Sequence, residues 1–520
     1  MIAIFAITIS GYLQAQTQKL SLIPYPQHVI VKSDNFKLRH STKIIIDKTD
    51  TQMLSLGDVL NKILNTKLKV SLKSHSKNVI ELKIDKTLET KAESYKLEVS
   101  NKKIVLTGKD YAGIFYGIQT LKQLVNENGI ITGVSITDEP RFAYRGLHLD
   151  VSRHFFPADF IKKFIDVMSF YKFNTLHWHL TDDQGWRIEI KKYPKLTEIG
   201  SKRPRTLIGH LNSKPHKYDN TPVEGYYTQD EIREIVKYAQ ERHITIIPEI
   251  ELPGHASAAL AAYPYLGCTG KNYKVQDTWG VFSDIFCAGQ ESTFDFLEDV
   301  IDEVVELFPS KYIHIGGDEA RKTQWEKCPN CKKRLEAEGL KNYHELQSYF
   351  IRRIEKYINS KGRKIIGWDE ILEGGLAPNA TVMSWRGTKG GIAAANMNHD
   401  VIMTPTSTCY LNRYQADRKN EPLAIGGMIT MEMVYRFNPI PKELPKNKQH
   451  YILGAQGNLW SEYITTTKQM EYMAYPRACA LSEVLWSPEE KQPFSEFKIR
   501  MKKHYIFLDE MDVNYFDKDK

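Results

Sequence analysis

The chain has 520 residues, 42% of them hydrophobic and 26% charged, the balance of a soluble globular protein long enough for two domains. Its net charge of +8 comes from 71 basic and 63 acidic residues spread along the sequence, with no block of five or six like charges, which argues against a nucleic-acid partner. After the first residues no apolar run is long enough to span a membrane.

Met1 to Ala15 is apolar and ends in small or polar residues, the pattern of a secretory signal cut after about Ala15, although the usual basic start is missing. Export to a periplasm or the medium is therefore expected. No cysteine follows the run, so a lipid anchor is not.

From about Ser21 to Asp138, short strand-like runs (Lys43 to Ile46, Val79 to Ile84, Lys103 to Leu106) alternate with helical patterns at Thr51 to Leu64 and Tyr111 to Val125. This pattern predicts an α+β domain over 21–138 with a largely antiparallel sheet. Few of its residues carry chemistry, so it reads as a packing partner for the rest of the chain.

Beyond Asp138 the pattern becomes strand then helix, repeated. Candidate strands are Arg145 to Val151, Asn174 to Leu180, Thr245 to Ile250, Tyr312 to Ile315, Lys364 to Trp368, Thr381 to Ser384, Val401 to Met403 and Leu453 to Leu459. Pro157 opens a helix with Phe160, Ile161, Phe164, Ile165 and Met168 on one face. Thr228 and Glu231 form a capping box, and Ser292 is the expected cap of a third helix. Eight such units predict a (β/α)₈ barrel over 139–490, distorted where the helices after strands six and seven are ill-defined. Pro493 to Tyr515 is expected to form a helix on the outside of the barrel, within a final segment 491–520.

Six cysteines fit an oxidising compartment without requiring it. Cys328 and Cys331 form a Cys-x-x-Cys that suits a local disulfide, a redox pair or half a zinc site. No second such motif exists, which favours the disulfide. Cys268 and Cys287 bracket a loop that a bridge would close, and Cys409 and Cys479 read as buried thiols.

Unusual polar residues gather at the carboxyl ends of the candidate strands, the face where a β/α barrel keeps its chemistry. In chain order they are Asp150 to His154, His177 to Arg187, Glu249, Glu251 to His255, Asp318 and Glu319, Trp368 to Glu370, Trp385 and Arg386, Tyr410, and Gln456 to Glu462. Before Asp318, the glycines Gly316 and Gly317 let the backbone turn tightly. Adjacent carboxylates point in different directions, and their repulsion tends to keep one of them protonated near neutrality, as a general acid must be. Carboxylates, Arg153 and several tryptophans around one rim suit a neutral, ring-shaped, polar ligand such as a sugar. His177 and His179 alternate on a strand and could ligate a metal with Asp182; a hydrogen-bonded layer inside the barrel is the simpler reading. Trp178 and Trp186 read as structural.

These segments, in this order, resemble the family 20 glycoside hydrolases, the β-N-acetylhexosaminidases. The run His314 to Glu319 matches their acid motif, the similarity spans Arg145 to Trp486, and the preceding domain resembles the non-catalytic domain common in such enzymes. The resemblance implies exo-acting hydrolysis of terminal β-linked GlcNAc or GalNAc from an oligosaccharide or glycoconjugate, with retention and no enzyme nucleophile, an exception to the two-carboxylate scheme. It implies Glu319 as proton donor and Asp318 as the partner of the substrate's own attacking acetamide. It further implies Tyr410 as a donor to that amide, Trp368, Trp385 and Trp460 as pocket walls, Arg153 and Glu462 on sugar hydroxyls, and Asp182 and His255 as supports of the acid pair. Two positions depart from the family pattern: Glu251 stands where many relatives have Asp, and so does Asn412, which bears on sugar preference. No cofactor and no metal is implied at this site. The rival readings are a disaccharide-releasing member of the family, a glycan-binding protein on a retired enzyme scaffold, and a metal-dependent hydrolase.

Overall fold

A computed structural model describes residues 20–71 and 77–517; the expected signal segment lies outside them. The first domain is a seven-stranded sheet built from β1 (His28–Lys37), β2 (Lys43–Ile45), β3 (Lys69–Ser71), β4 (Val79–Ile84), β5 (Tyr95–Val99), β6 (Lys103–Gly108) and β7 (Ile130–Asp138). Its order is β1-β7-β5-β6-β4-β2-β3. Only half of it is antiparallel. The pairs β1–β7, β7–β5 and β5–β6 run antiparallel, whereas β6–β4, β4–β2 and β2–β3 run parallel. The sheet is therefore mixed, because α1 (Thr51–Ile63) carries the chain from β2 over to β3 in the same direction, as a helical crossover must. Asp50 caps α1 by accepting from the N–H groups of Gln52 and Met53, and Asp110 caps α2 (Tyr111–Leu124) through Gly113.

The second domain is a closed parallel barrel of β8 (Tyr144–Asp150), β9 (Thr175–His179), β10 (Thr245–Leu252), β11 (Tyr312–Gly316), β12 (Lys364–Trp368), β13 (Thr381–Ser384), β14 (Val401–Met403) and β15 (Ile452–Gly457). Register decides which side chains meet inside it. Asp150 pairs with His179, His179 with Glu249, and Glu249 with His314, so four polar residues from four neighbouring strands stand at one level near the carboxyl ends.

The helices follow their patterns with some corrections. In α3 (Ala158–Phe170), Phe160, Ile161, Phe164, Ile165 and Met168 are all buried, and α4 (Gln229–Gln240) has the complete Thr228–Glu231 capping box. Ser292 does not cap α5 (Glu291–Leu307); the helix starts earlier, with Gln290 at its boundary and no side-chain cap. After β13 a helix does form, α6 (Lys389–Asn396). Its pattern was hidden because Gly390 packs on Asp369 and Gly391 on Met403. Between β14 and β15 the described chain holds only short helical turns, including Met431–Tyr435, so the barrel is distorted at its seventh unit. The terminal helix, α7, is shorter than expected and covers Phe494–Glu510 with Pro493 just before it.

The two domains share buried polar contacts. Asp138, at the end of β7, accepts from Lys172 at 3.1 Å, from Tyr95 at 2.7 Å and from the Trp486 indole at 2.9 Å; Lys172 also lies 4.3 Å from the centre of the Trp486 ring. Arg145 reaches back to Glu93 at 2.6 Å. No disulfide joins any of the six cysteines. Neither expected bridge forms; instead Cys268, Cys287, Cys328 and Cys331 converge from two loops, while Cys409 and Cys479 are buried thiols.

Candidate active site

The strand β11 ends in a turn that only glycine makes easily. Gly316 and Gly317 have φ of +65° and +92°, and a Cβ on Gly316 would lie 1.7 Å from Glu251 Oε2. The next residues are Asp318, 8% exposed, and Glu319, itself in the left-handed region with φ +47°. Gln347 fixes the turn by donating to the Gly317 carbonyl at 2.7 Å.

His255 joins the two carboxylates. Its Nε2 lies 3.6 Å from Asp318 Oδ2 and 3.5 Å from Glu319 Oε2, while Nδ1 reaches Asp183 at 3.0 Å and Asp182 at 3.2 Å. Behind it the charges alternate. Asp182 accepts from Arg153 at 2.7 Å and from His179 Nε2 at 2.8 Å, and the other nitrogen of His179 contacts Glu249. Glu249 is the hub. His177 Nε2 lies 3.0 Å from it, His314 Nδ1 2.7 Å, and the Trp368 indole donates to it at 2.9 Å.

Environment sets the protonation of this chain of groups. Burial opposes charge on Glu249 and Asp182, but the cationic groups around each outweigh it and hold both carboxyls well below their ordinary values. Burial also works against protonation of His179, yet Glu249 and Asp182 raise it to about 10, and against the same opposition Asp182, Asp183 and Glu319 raise His255 well above its usual value. His177 is lowered to about 4 by burial, and Gln456 donates to its Nδ1 at 3.0 Å, so Nε2 carries the hydrogen facing Glu249. Both ring nitrogens of His179 and Nδ1 of His177 thus have protein hydrogen-bond partners.

The acid pair splits. Burial, followed by the charges of Glu319 and Glu249, pushes Asp318 up to about 7 against the pull of His255. Burial alone would raise Glu319, but the hydrogen bond and charge of His255, with Arg153, bring it below its ordinary value. One of the two does keep a proton towards neutrality, as the sequence suggested. Of the two, Asp318 is the carboxyl whose surroundings favour the protonated form.

The aromatic residues come together. Trp368 and Trp460 belong to one apolar cluster inside the barrel, with Trp385 and Tyr410 packed against it. Trp385 stacks on Tyr410 at 6.1 Å and donates to Glu370 at 2.9 Å, and Arg153 lies 4.9 Å from the centre of the Trp460 ring. Burial and the Asp318 charge raise the Tyr410 phenol well above normal, so it stays an O–H donor. Glu462 is raised by burial and countered by Arg153, and its Oε2 has no hydrogen-bond partner among the described residues. Asn412 makes none of these contacts; it is buried, and neither end of its amide is partnered among the described residues. Trp178 and Trp186 are core.

The sequence reading gave no role to Glu249, Asp183, Glu370 or the protonated state of Glu251. Glu251 is raised well above its ordinary value by burial, then by Asp318 and Glu249, and both its oxygens lie below Gly316 without a hydrogen-bond partner among the described residues. The available signal was register: Glu249 sits level with His179 and His314 once the strands are paired.

Two family models match the chain: "Glycosyl hydrolase family 20, catalytic domain" over residues 142–489, and "Glycosyl hydrolase family 20, domain 2" over residues 19–139. The chain belongs to glycosyl hydrolase family 20. Its β-hexosaminidase relative from Porphyromonas gingivalis is 48% identical over 510 residues, 95% of this chain and 64% of that protein, so the chain spans just under two thirds of the relative's length. A β-hexosaminidase from Vibrio furnissii is 35% identical over 89% of this chain and 76% of its own. The solved β-N-acetylhexosaminidase of Bacteroides fragilis superposes with a TM-score of 0.82 at 33% identity, covering 95% of this chain and 96% of that one. A Streptomyces plicatus β-hexosaminidase solved with GlcNAc product gives 0.83 at 29% identity, covering 96% of each chain.

Proposed function

We propose that this family 20 chain is an exo-acting β-N-acetylhexosaminidase that releases terminal β-linked GlcNAc or GalNAc by a retaining, substrate-assisted route. The observation that carries the reading is the position of His255, within 3.6 Å of both Asp318 and Glu319, beside tryptophans clustered inside the barrel. A sugar ring stacks its C–H face on such indoles, and Arg153 and Glu462 supply charged partners for its hydroxyls.

In the proposed reaction, Glu319 gives its proton to the glycosidic oxygen as the bond from that oxygen to the anomeric carbon breaks. The substrate's acetamido oxygen closes on the same carbon, and the resulting oxazolinium N–H donates to Asp318 as its anion. Tyr410 donates to the acetamido oxygen. Water then adds to the anomeric carbon, its proton returns to Glu319, and the ring reopens with retained configuration. The proton that burial favours on Asp318 must therefore move to Glu319 when substrate binds. An acetamide N–H favours the anion of Asp318, and a neutral sugar shutting water away from Glu319 favours its acid form. His255 Nε2 lies between the two.

Aryl β-GlcNAc and β-GalNAc glycosides should be cleaved and the matching β-glucoside, which lacks the amide, should not. Equal turnover of the glucoside would refute the substrate-assisted route, and binding without turnover of any of the three would leave a glycan-binding protein. Among the described residues no helix is long and apolar enough to cross a membrane, and the apolar run Met1 to Ala15 supports export. The mature protein should then begin near Gln16, as read by amino-terminal sequencing.

A further inference from the structure

Four cysteines stand together outside the sugar site. Cys268 and Cys287 belong to the loop after β10; Cys328 and Cys331 belong to the loop after β11, which also carries Asp318 and Glu319. Three of the four are buried, and all four sulfurs lie within 4.8 Å of one another. The closest separations are 3.5 Å for Cys287 to Cys331, and 3.8 Å for both Cys268 to Cys331 and Cys287 to Cys328. A tetrahedral zinc with Zn–S bonds of about 2.3 Å sets its sulfurs about 3.8 Å apart. Two disulfides would instead draw the thiols into two separate pairs at about 2.05 Å. The observed separations match one tetrahedral ion and neither pair of disulfides.

The surroundings are built for thiolates. Cys328 sits at the amino-terminal boundary of the helix Pro329–Ala337, with Pro329 at its first position and Cys331 in its first turn, where the positive end of the helix dipole favours a thiolate. The loops meet closely, since a Cβ on Gly289 would lie 2.2 Å from the Asn330 backbone carbon, and the Trp325 indole donates to the Phe286 carbonyl at 2.8 Å.

We propose that Cys268, Cys287, Cys328 and Cys331 hold one structural zinc ion that ties the loop bearing the acid pair to the loop bearing His255. Binding exchanges four thiol protons, released to water, for one Zn²⁺ and needs no oxidant or reductant. With all four positions taken by sulfur, the ion has no open site for chemistry.

The test uses the full chain purified without chelator. Elemental analysis should give about one zinc per chain, and alkylation after denaturation in chelator should label all six cysteines by intact mass. Cys287→Ser and Cys331→Ser should each lose the zinc and lower the Tm by at least about 5 °C, whereas Cys479→Ala should keep the metal. Should the serine variants fail to fold, the zinc content and thiol count of the unaltered protein still decide. Zinc below about half an equivalent overturns the proposal, whether the thiols are found free or as two disulfides. Aryl-glycoside turnover is read separately, so an inactive protein that holds zinc leaves this site standing.

Discussion

Replacing Asp318 by asparagine should make the protein more stable as well as inactive, and the gain should depend on pH. Burial and the charges of Glu319 and Glu249 raise the Asp318 carboxyl from an ordinary 3.8 to about 7. The sign depends on which state holds the proton. Below pH 3.8 the folded and unfolded chains are both protonated at this carboxyl, and the site costs nothing by this route. As pH rises towards 7 the unfolded chain ionises while the folded one keeps its proton, so stability falls by about 1.4 kcal/mol per pH unit. Above pH 7 the full cost of an anion in this place is present, about three pH units or ~4 kcal/mol at most, and neighbouring groups that titrate with it reduce that figure. Asparagine keeps the shape and has no charge to bury. Urea unfolding of both proteins at pH 4.5, 5.5, 6.5 and 7.5 should show a gain of about 1 kcal/mol at the lowest pH, growing to about 3–4 kcal/mol at the highest. A difference that stays flat with pH, or an asparagine variant that is the less stable protein at pH 7.5, would refute the protonation assigned to the pair.

The same proton should shape catalysis: kcat/KM, which reports the free enzyme, should fall about tenfold per unit above about pH 7, and a profile level to pH 9 would contradict it. Glu249→Gln removes the anion on which His177, His179, His314 and Trp368 converge, so it should lower stability by about 3–5 kcal/mol and cut turnover even though Glu249 lies behind the sugar site; chemical denaturation and kcat measured together check this. Lys172→Met leaves the Asp138 charge buried without its cation and should cost about 3–5 kcal/mol, with part recovered in the Lys172→Met, Asp138→Asn double variant; a double variant no better than the single would refute the pairing. Gly316→Ala drives a methyl into Glu251 and should abolish activity, measured as turnover of an aryl β-GlcNAc glycoside.

The architecture was legible because barrel strands are short apolar runs ending in chemistry-bearing residues, and the Gly316–Gly317 turn announces a forced backbone before Asp318 and Glu319. What stayed hidden belongs to distance rather than to pattern. The hub role of Glu249 exists only through the pairing of β9, β10 and β11. The four-cysteine cluster joins Cys268 to Cys331, 63 positions apart, so the missing second Cys-x-x-Cys misdirected the reading towards a local bridge. Which carboxyl of the acid pair holds the proton depends on burial and on His255, neither of which a motif contains. The parallel half of the first sheet was missed because β2 and β3 are three residues each, too short to show an alternation.

Trp368 and Trp385 are each tethered by the indole N–H, one to Glu249 at the barrel's centre and the other to Glu370. Rings fastened in this manner cannot swing aside to enlarge the cavity, so its dimensions exist before any ligand arrives. Under the proposed function, selection among N-acyl chains should then be a matter of fit, with an acetyl methyl accommodated and each added carbon meeting an unyielding surface.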